Sequence, residues 1–464
     1  MEVVLDKNMK ILVVDDFSTM RRIIKNLLKD LGFANIQEAD DGNTALPMLQ
    51  QGDFDFALKS YSKALKINPS FVKALYGTAA TLQLQGNLKA AIGYYEKVLE
   101  LEPNNFEAHI SIGGIQRQRR DFKNALLSTN TALRLKPQNA EGLLNRSMLY
   151  LQSGDFINGF LDYQYRFAAS SYDVMERLVN NNEPLATSKP EWTPSVVSGR
   201  VLLRAEQGIG DEVLFATTVL DLYEKSSELI IQLDERLIPL FERSFPNDIK
   251  FCSKKEKVPE KEYDFHISMG STLQYFRRDL ESFSKTSDGF LKADSTLSSK
   301  LRTQLMLGDC DCLVGLSWRG GNDGNRKQKS IELGEIAKAL ASPKIKIINL
   351  QYGQTDDEIR ELEDTLGITV HSVPEIDNFK DVDGLSALID ACDHVVSVST
   401  LVVHLAGALG KKTTVLLPFA CDWRWGENGT ESYWYSSVKL LRQENISDWT
   451  APIKQLQQTF RENT

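Results

Sequence analysis

The chain has 464 residues, of which 42% are hydrophobic and 25% are charged, and it carries a formal net charge of −9 at pH 7. These values are typical of a globular protein with about three domains, and the acidic balance disfavours nucleic-acid binding, which needs a basic face. The N-terminus lacks the pattern of a signal peptide and no apolar run approaches the ~20 residues of a spanning helix, so we expect a cytoplasmic protein without a membrane span.

The first 42 residues begin as a β-α-β unit. An apolar strand ends in the carboxylates Asp15 and Asp16, and a helical periodicity over residues 17–31 leads to a second short strand. This stretch resembles the start of a CheY-type chemotaxis receiver, in which such an acidic pair holds Mg²⁺. The match stops near Gly52, and no later segment resembles the strand that ends in the phosphorylated Asp. We therefore interpret residues 1–42 as a truncated receiver fragment without a phosphorelay function.

From Gly52 onwards, small, aromatic and proline residues recur with a period of 34 residues. The matched positions are Gly52, Ala57, Tyr61, Ala64 and Pro69, then Gly86, Ala91, Tyr95, Val98 and Pro103, then Arg120 (in place of Gly), Ala125, Thr129, Ala132 and Pro137. This is the tetratricopeptide signature, in which each helical hairpin buries its apolar face against its neighbours. We predict an α-solenoid over residues 43–167 that docks a protein partner or acceptor. Its first helix contains Pro47, so we expect that helix to be frayed at its start.

A polar, proline-containing linker over residues 168–198 precedes a first α/β lobe at 199–307. Its predicted strands are 200–204, 229–233, 250–252 and 265–268. The first strand runs into a loop with Gly208 and Gly210, and a helix follows at 212–223. The loop places Asp211 at the helix start, a position at which Asp commonly caps a helix.

The second lobe, predicted at 308–464, carries polar residues directly after its strands. The expected strands are 313–318, 345–350, 369–373, 395–398, 413–417 and 439–441. A loop from Arg319 to Lys329 with three glycines and four cations follows the first of these strands. Such a loop can be simply solvated, but its place at a strand end favours phosphate binding. Gln351 and Tyr352 follow the next strand on the same edge of the sheet.

The strand–helix–strand unit at 394–417 is the most specific pattern. Ser399 and Thr400 lie between an apolar strand and a short helix, a position that suits an anion bound at a helix N-terminus. His404 lies one turn later on the same face as Thr400, where it is either a packed core residue or a ligand contact. Gly407 would allow close backbone packing. We interpret this unit as a phosphate pocket.

Aromatic and charged residues follow the next strand in the sequence DWRWG. Trp423 and Trp425 stand beside Asp422, just past the strand end. Pairs of tryptophans often stabilise protein cores, but on the ligand edge of a sheet they can stack on or position a sugar or a nucleotide. We therefore include the three residues in the predicted substrate site.

The segment TLVVHLAGALGKKTTVLLP, followed by DWRWG, resembles the C-terminal lobe of bacterial tetratricopeptide-repeat glycosyltransferases. These proteins are relatives of the heptosyltransferases and, more distantly, of O-GlcNAc transferase; Val403 replaces a small residue of the usual form. The resemblance covers roughly residues 50–464 and implies a two-lobed GT-B fold that binds a nucleotide-sugar in its C-terminal lobe. It also implies that Asp211 is a candidate general base, that His404 lies near the donor diphosphate and that Lys329 is the family's basic position.

The expected fold class is thus α plus α/β: a receiver fragment, a tetratricopeptide solenoid and two Rossmann-like lobes. We expect a GT-B-like glycosyltransferase that moves a sugar from a nucleotide-sugar to an acceptor hydroxyl, with Asp211 and His404 as the catalytic residues. No cofactor or metal is expected, since the diphosphate would be neutralised by protein groups and Cys310 and Cys312 form a lone C-x-C pair. The alternative is a repeat scaffold whose lobes have lost catalysis, which need not bind any nucleotide-sugar. The donor, the sugar and the acceptor stay open because a fold does not fix chemistry.

Overall fold

The structure, a computed structural model, describes residues 10–14, 29, 35–39, 54–169, 186–196, 198–286, 288–308, 310–320 and 329–461. The chain forms two compact units, one of Met1–Gln116 with Leu127–Pro137 and the other of Arg117–Leu126 with Gln138–Thr464. The domain boundaries predicted from the sequence stay predictions.

In the first unit, β1 (Lys10–Val14) pairs in parallel with β2 (Asn35–Ala39), the pairing expected of a β-α-β fragment. The predicted helix at 17–31, the acidic pair Asp15 and Asp16, and the start of the first repeat at 43–51 lie outside the described residues.

The repeat helices follow the predicted 34-residue period. They are α1 (Phe54–Ile67), α2 (Val72–Leu84), α3 (Leu88–Leu101), α4 (Phe106–Gln118), α5 (Phe122–Leu135), α6 (Ala140–Ser153) and α7 (Phe156–Tyr163). The matched positions Ala91, Tyr95, Ala125 and Ala132 are buried, as the close packing of such hairpins requires.

The turns inside successive hairpins have the same left-handed backbone. Gly86, Arg120 and Gly154 have φ values of +77°, +59° and +85°. An L-residue rarely adopts this conformation, and Arg120 is held in it by its own side chain. Nη2 of Arg120 donates hydrogen bonds to the carbonyl oxygen of Glu427, at 2.8 Å, and to Oδ1 of Asn428, at 3.0 Å. The departure from glycine at this position therefore fixes the turn against the second lobe.

The first lobe is a four-stranded sheet in the order β5-β4-β3-β6, and all its strand pairs are parallel. Its strands are β3 (Arg200–Arg204), β4 (Glu228–Leu233), β5 (Lys250–Ser253) and β6 (Phe265–Ser268). Its helices are α8 (Ile209–Phe215), α9 (Val219–Tyr223), α10 (Ile238–Ser244), α11 (Met269–Phe276) and α12 (Ser295–Leu305).

The single helix predicted at 212–223 is in fact two helices separated by a 3-10 turn at Ala216–Thr218. The hydroxyls of Thr217 and Thr218 bond to backbone carbonyls three residues earlier, at 2.9 Å each, and such local bonds compete with a regular helix. The first of these helices also begins earlier than predicted, directly after Gly208.

The second lobe is a six-stranded parallel sheet in the order β12-β11-β10-β7-β8-β9. Its strands are β7 (Cys312–Ser317), β8 (Ile345–Asn349), β9 (Val370–His371), β10 (His394–Val398), β11 (Thr413–Leu417) and β12 (Val438–Arg442). Its helices are α13 (Leu333–Leu340), α14 (Asp356–Leu366), α15 (Val382–Ala391), α16 (Leu401–Ala408) and α17 (Thr450–Arg461). The strands of both lobes lie within two residues of their predicted ends, and the predicted fold class is confirmed.

The central strands β10 and β11 are buried along their whole length, because helices cover both faces of a parallel sheet. Within the described part of the chain, no helix has both the length and the apolar character needed to cross a bilayer.

Candidate functional site

Two helices that follow buried strands begin next to each other. One is α8, which follows β3 in the first lobe, and the other is α16, which follows β10 in the second lobe. Gly210 lies at their contact: a Cβ atom on it would come within 3.3 Å of His404 Cδ2 and 3.7 Å of Leu401 Cα. A larger residue would push the helix starts apart, so Gly210 serves the packing of the two lobes. The fold therefore joins the predicted glycine loop to the predicted phosphate pocket.

Asp211 lies in the first turn of α8. Its Oδ2 accepts a hydrogen bond from the backbone N–H of Gly208, 3.2 Å away, and its Oδ1 is ion-paired with Arg424. Burial raises the pKa of Asp211, Arg424 opposes this rise, and the carboxylate of Asp422 adds to it. A carboxylate with a raised pKa is better matched to taking up a proton near neutral pH. The geometry is compatible with both roles expected of Asp211, helix cap and general base.

Arg424 is absent from the site residues that the sequence predicts, yet two carboxylates share it. Besides Asp211, Arg424 binds Asp422. Oδ1 of Asp422 accepts a hydrogen bond of 2.6 Å from Nη1 of Arg424 and one of 3.0 Å from the backbone N–H of Arg424. Burial opposes the charge of Arg424, but the two carboxylates hold its pKa well above the ordinary value. Burial also opposes ionisation of Asp422, and the charges of Arg424 and Lys329 outweigh it, so the pKa of Asp422 is lowered.

His404 is a packed residue. Its side chain is 5% exposed, its ring stacks on Trp425 with centroids 5.5 Å apart, and Nδ1 lies 3.3 Å from the hydroxyl of Tyr435. Burial lowers the pKa of His404 to about 3, and the charge of Arg424 adds to this effect. The imidazole is therefore neutral at pH 7. Near a diphosphate, such a ring could form a hydrogen bond but could not supply a positive charge.

The start of α16 carries the predicted hydroxyl residues. Thr400 occupies the N-cap position, but among the described residues its hydroxyl caps no backbone N–H of the helix and instead lies 3.2 Å from Ser397 Oγ. The hydroxyl of Ser399 accepts a hydrogen bond of 2.8 Å from Nε1 of Trp425. Gly320 lies close by, since a Cβ atom on it would be 3.1 Å from Thr400 Cγ2. A helix start without a side-chain cap is a suitable place for an anion.

Gln351 organises the strand ends of the second lobe. Its Oε1 accepts three hydrogen bonds, from the hydroxyl of Ser317 and from the backbone N–H groups of Trp318 and Arg319, at 2.8 to 3.1 Å. The guanidinium of Arg319 is ion-paired with Glu358 at 2.7 Å. These contacts give both residues a structural role in shaping the edge. Tyr352 is 38% exposed and lies against Phe379.

Lys329 stands at the described end of the predicted basic loop. Residues 321–328 of that loop lie outside the described residues. Lys329 is close enough for its charge to contribute to the lowered pKa of Asp422. Among the described residues, no group of three or more His, Cys, Asp or Glu side chains is arranged to hold a metal ion. A metal-independent reaction stays a prediction.

The two tryptophans and Gly407 belong to the core of this region. Trp423 and Trp425 are 2% and 1% exposed, so in this structure neither ring offers a face on which a sugar could stack. A Cβ atom on Gly407 would lie 2.4 Å from the ring of Tyr435, which explains the glycine by packing. Trp423, Trp425 and Gly407 therefore support the site as parts of the core on which it is built.

Two residues of the loop before α8 have roles that the sequence pattern does not indicate. Glu206 forms a buried bidentate ion pair with Arg166, which follows α7, at 2.6 and 2.5 Å. Gln207 has a φ of +62°, a left-handed backbone that costs a non-glycine residue roughly 1–3 kcal/mol. A polar Glu-Gln pair just before a glycine loop is the only signal for them in the sequence, because their partners lie far away along the chain.

Comparison with known proteins confirms the repeats. Residues 72–105 match the family model of the tetratricopeptide repeat, and residues 48–86 match a second model described as a TPR repeat. Protein FlbA of Caulobacter vibrioides is 28% identical over 292 residues, which are 58% of this chain and 48% of that protein. Chemotaxis protein CheY-3 of Vibrio cholerae is 73% identical over 62 residues, which are 13% of this chain and 48% of that protein. The chain thus spans about half the length of the curated relatives it matches.

Two solved structures are similar to the chain at low sequence identity. The E. coli ADP-heptose LPS heptosyltransferase II is 13% identical, with a TM-score of 0.40, over 57% of this chain and 100% of that chain. A glycosyl transferase family 9 protein from Veillonella parvula is 10% identical, with a TM-score of 0.38, over 53% of this chain and 87% of that chain. The α/β architecture given above follows from the strand order of the two sheets.

Proposed function

We propose that this protein is a glycosyltransferase that moves a sugar from a nucleotide-sugar donor to an acceptor hydroxyl. One observation carries the proposal: the start of α8, which carries Asp211, and the uncapped start of α16 are in contact between two parallel-sheet lobes. A transferase needs a base for the acceptor and a positive site for the leaving group, and these two helix starts supply them. The resemblance of the segment around Thr400 to glycosyltransferases supports a sugar as the transferred group.

In this mechanism Asp211 takes the proton of the acceptor hydroxyl as the oxygen bonds to the anomeric carbon of the sugar. The bond between that carbon and the phosphate oxygen breaks, and a nucleoside diphosphate leaves. Its charge is stabilised by the backbone N–H groups at the start of α16, by the hydroxyls of Ser399 and Thr400 and by Lys329. Arg319 contributes less, because its charge is already matched by Glu358. The repeats offer a surface for a protein acceptor or partner.

The second candidate function is a repeat scaffold without catalysis. The observation that favours it is the ion pair of Asp211 with Arg424, since a carboxylate held by a cation is a weaker base. Each carboxylate oxygen nevertheless retains acceptor capacity for a substrate hydroxyl, because an ionised carboxylate can accept about four hydrogen bonds.

A panel of nucleotide-sugars that differ in base and in sugar tests the proposal. We expect one donor class to raise the melting temperature of the protein, since a ligand at 100 times its Kd stabilises the folded state by about 2.7 kcal/mol. The same donor should release nucleoside diphosphate in the presence of an acceptor. A thermal shift without release would establish the scaffold, and the absence of both with every donor would overturn the proposal.

A further inference from the structure

A continuous series of hydrogen bonds joins the last repeat to the candidate base. The hydroxyl of Tyr163, at the end of α7, accepts from Nε2 of Gln207 at 2.5 Å. Oε1 of Gln207 accepts from Nη2 of Arg424 at 3.4 Å, and the same nitrogen donates to Oδ1 of Asp211. Tyr163 and Gln207 are both buried. We call this series the Tyr163–Asp211 relay.

The middle of the relay is a strained residue. Gln207 has a left-handed backbone, which a side chain without specific partners would not maintain. Both ends of its amide are engaged, the nitrogen by Tyr163 and the oxygen by Arg424. The contacts from the repeat and from the second lobe therefore hold the loop in the conformation that leads into Asp211, four residues later.

A second contact anchors the same loop to the same repeat. Arg166 and Glu206 are 1% and 2% exposed, and Glu206 also accepts a hydrogen bond of 2.8 Å from the backbone N–H of Gly270. Removing either partner would leave a buried charge uncompensated, which strongly destabilises a protein. This pair therefore explains how the repeat and the loop fold together, while Tyr163 and Gln207 are the parts of the relay that can be changed without removing a charge.

We propose that Tyr163 and Arg424 are positioning residues for the carboxylate of Asp211, which they hold in the orientation that receives the acceptor's proton. Arg424 holds this carboxylate directly, and Tyr163 acts on it through Gln207 and Arg424. The last repeat is then a working part of the catalytic site in addition to any docking role. This inference rests on the proposed function. The groups that face Asp211 are the guanidinium of Arg424, the carboxylate of Asp422, the hydroxyl of Tyr435 and the N–H of Gly208, so Arg424 is the one cation of the described residues in this set.

The first test is Tyr163→Phe, which removes one hydroxyl and keeps the ring. The matched control is Tyr165→Phe on the adjacent 3-10 turn, because the hydroxyl of Tyr165 bonds to the exposed side chain of Gln138 at 3.5 Å. We expect Tyr163→Phe to lower kcat about tenfold with the donor KM within about twofold, since a small misplacement of a catalytic group costs rate before binding. Tyr165→Phe should change neither value. Equal kcat in the two variants would overturn the inference.

The second test uses the pH profile, which a merely structural role would not move. Activity falls as the pH drops through the pKa of the base, and the positive charge of Arg424 lowers that pKa. Arg424→Met removes the charge, so the acidic limb of kcat/KM should move to higher pH. Arg424→Lys keeps the positive charge but loses the planar guanidinium and its fixed set of donors. This variant should therefore have a lower kcat, while the acidic limb of its kcat/KM profile stays near the original pH. An unmoved limb in Arg424→Met would overturn the role of Arg424.

Amide hydrogen exchange separates failure of the inference from failure of the proposed function. The peptide that covers residues 205–211 should exchange faster in Tyr163→Phe than in Tyr165→Phe, whether or not the protein turns over a donor. If the wild type has no transferase activity, the proposed function fails, and faster exchange still supports the relay. If activity is present and the two variants exchange alike, the proposed function stands and the relay is overturned.

Discussion

The starts of α8 and α16 touch each other, and both follow a buried parallel strand. They differ in whether a side chain of the protein satisfies the free N–H groups of the first turn. In α8 the chain supplies its own anion, because Asp211 accepts from the backbone N–H of Gly208 and pairs with Arg424. In α16 the N-cap residue Thr400 leaves the first turn uncapped among the described residues. A helix N-terminus attracts negative charge, so the first start already has its carboxylate and the second is ready to receive a ligand. In the proposed reaction, this difference assigns proton removal to the start of α8 and phosphate binding to the start of α16.

The largest effect on turnover is expected when the carboxylate of Asp211, at the start of α8, is replaced by a neutral amide. Asp211→Asn should lower turnover by about 10²–10⁴-fold, the usual contribution of a general base, and should leave donor affinity within a few-fold. Asn keeps an oxygen that can accept from Gly208, so the helix remains capped. Single-turnover transfer, measured beside a calorimetric titration of donor, checks both parts.

Asp381→Asn is the matched control for that substitution. Asp381 caps α15 through the N–H of Gly384 at 2.8 Å, and its replacement should leave turnover unchanged. If Asp211→Asn also turns over at the wild-type rate, Asp211 is only a cap. Glu206 would not be a replacement for it, because its carboxylate is buried against Arg166.

His404→Ala tests whether the contact between the two helices is a packing contact. The ring stacks on Trp425 and lies beside Tyr435, so its removal leaves a cavity that should lower the free energy of unfolding by about 2–4 kcal/mol. Denaturant unfolding of the protein without ligand measures this. Thr400→Ala on the same helix should leave the unfolding midpoint nearly unchanged. An unaltered midpoint in His404→Ala together with lost donor binding would instead make His404 a ligand contact.

A pH dependence of stability is expected from the residue next to Asp211. The carboxylate of Glu212 is buried and accepts two hydrogen bonds, one of 2.9 Å from Nζ of Lys254 and one of 2.7 Å from the backbone N–H of Asp234. Burial raises the pKa of Glu212 from 4.5 to about 7, and the charge of Lys254 opposes this rise. The folded state therefore binds more protons between these pH values. The stability from this group is complete below about pH 4.5 and is lost as the pH rises through 7, by about 3 kcal/mol.

Denaturant midpoints at a series of pH values check that expectation. Glu212→Gln should flatten the decline of stability between pH 5 and 8, whereas Glu242→Gln, at an exposed position of α10, should keep it. A wild-type decline that survives in Glu212→Gln would show that another group is responsible.

The smallest effects are expected at the start of α16. Thr400→Ala and Lys329→Ala should each weaken donor binding up to about tenfold, which is ~1.4 kcal/mol, since each removes one of several groups around the diphosphate. The loss in Lys329→Ala should shrink as salt is added, because that contribution is electrostatic. Lys380→Ala, at a side chain 81% exposed, is the control and should bind as the wild type does. Unchanged donor affinity in both Thr400→Ala and Lys329→Ala would contradict phosphate binding at the start of α16.

The parts of this protein that sequence predicts are those set by local patterns. Buried parallel strands are continuous apolar runs, and the rule that ligands lie at strand carboxyl ends places the loop of Asp211 and the Ser399–Thr400 pair each at the ligand edge of its own sheet. The 34-residue period gives the repeats. What sequence does not predict depends on partners distant in the chain: Arg424 lies 213 positions from Asp211, and Gln207 lies 44 positions from Tyr163.

Burial explains the remaining differences. The sequence pattern of a tryptophan pair after a strand is the same whether its rings face a ligand or the core. Only the packing in the structure shows that Trp423 and Trp425 are buried. A histidine reads the same whether charged or neutral, and only its burial makes His404 neutral.

The turn at Arg120 has a consequence for the evolution of the repeat array. Repeat proteins lengthen and shorten by duplicating or deleting whole units, which is tolerated where each unit contacts only its neighbours. Arg120 breaks the glycine pattern of its unit and is bonded to Glu427 and Asn428. A duplication between Arg120 and Gly154 would carry this arginine away from its partners. Natural variation in repeat number among related chains should therefore be confined to the units before Arg120, and the units after it should be inherited together with the lobes as one block.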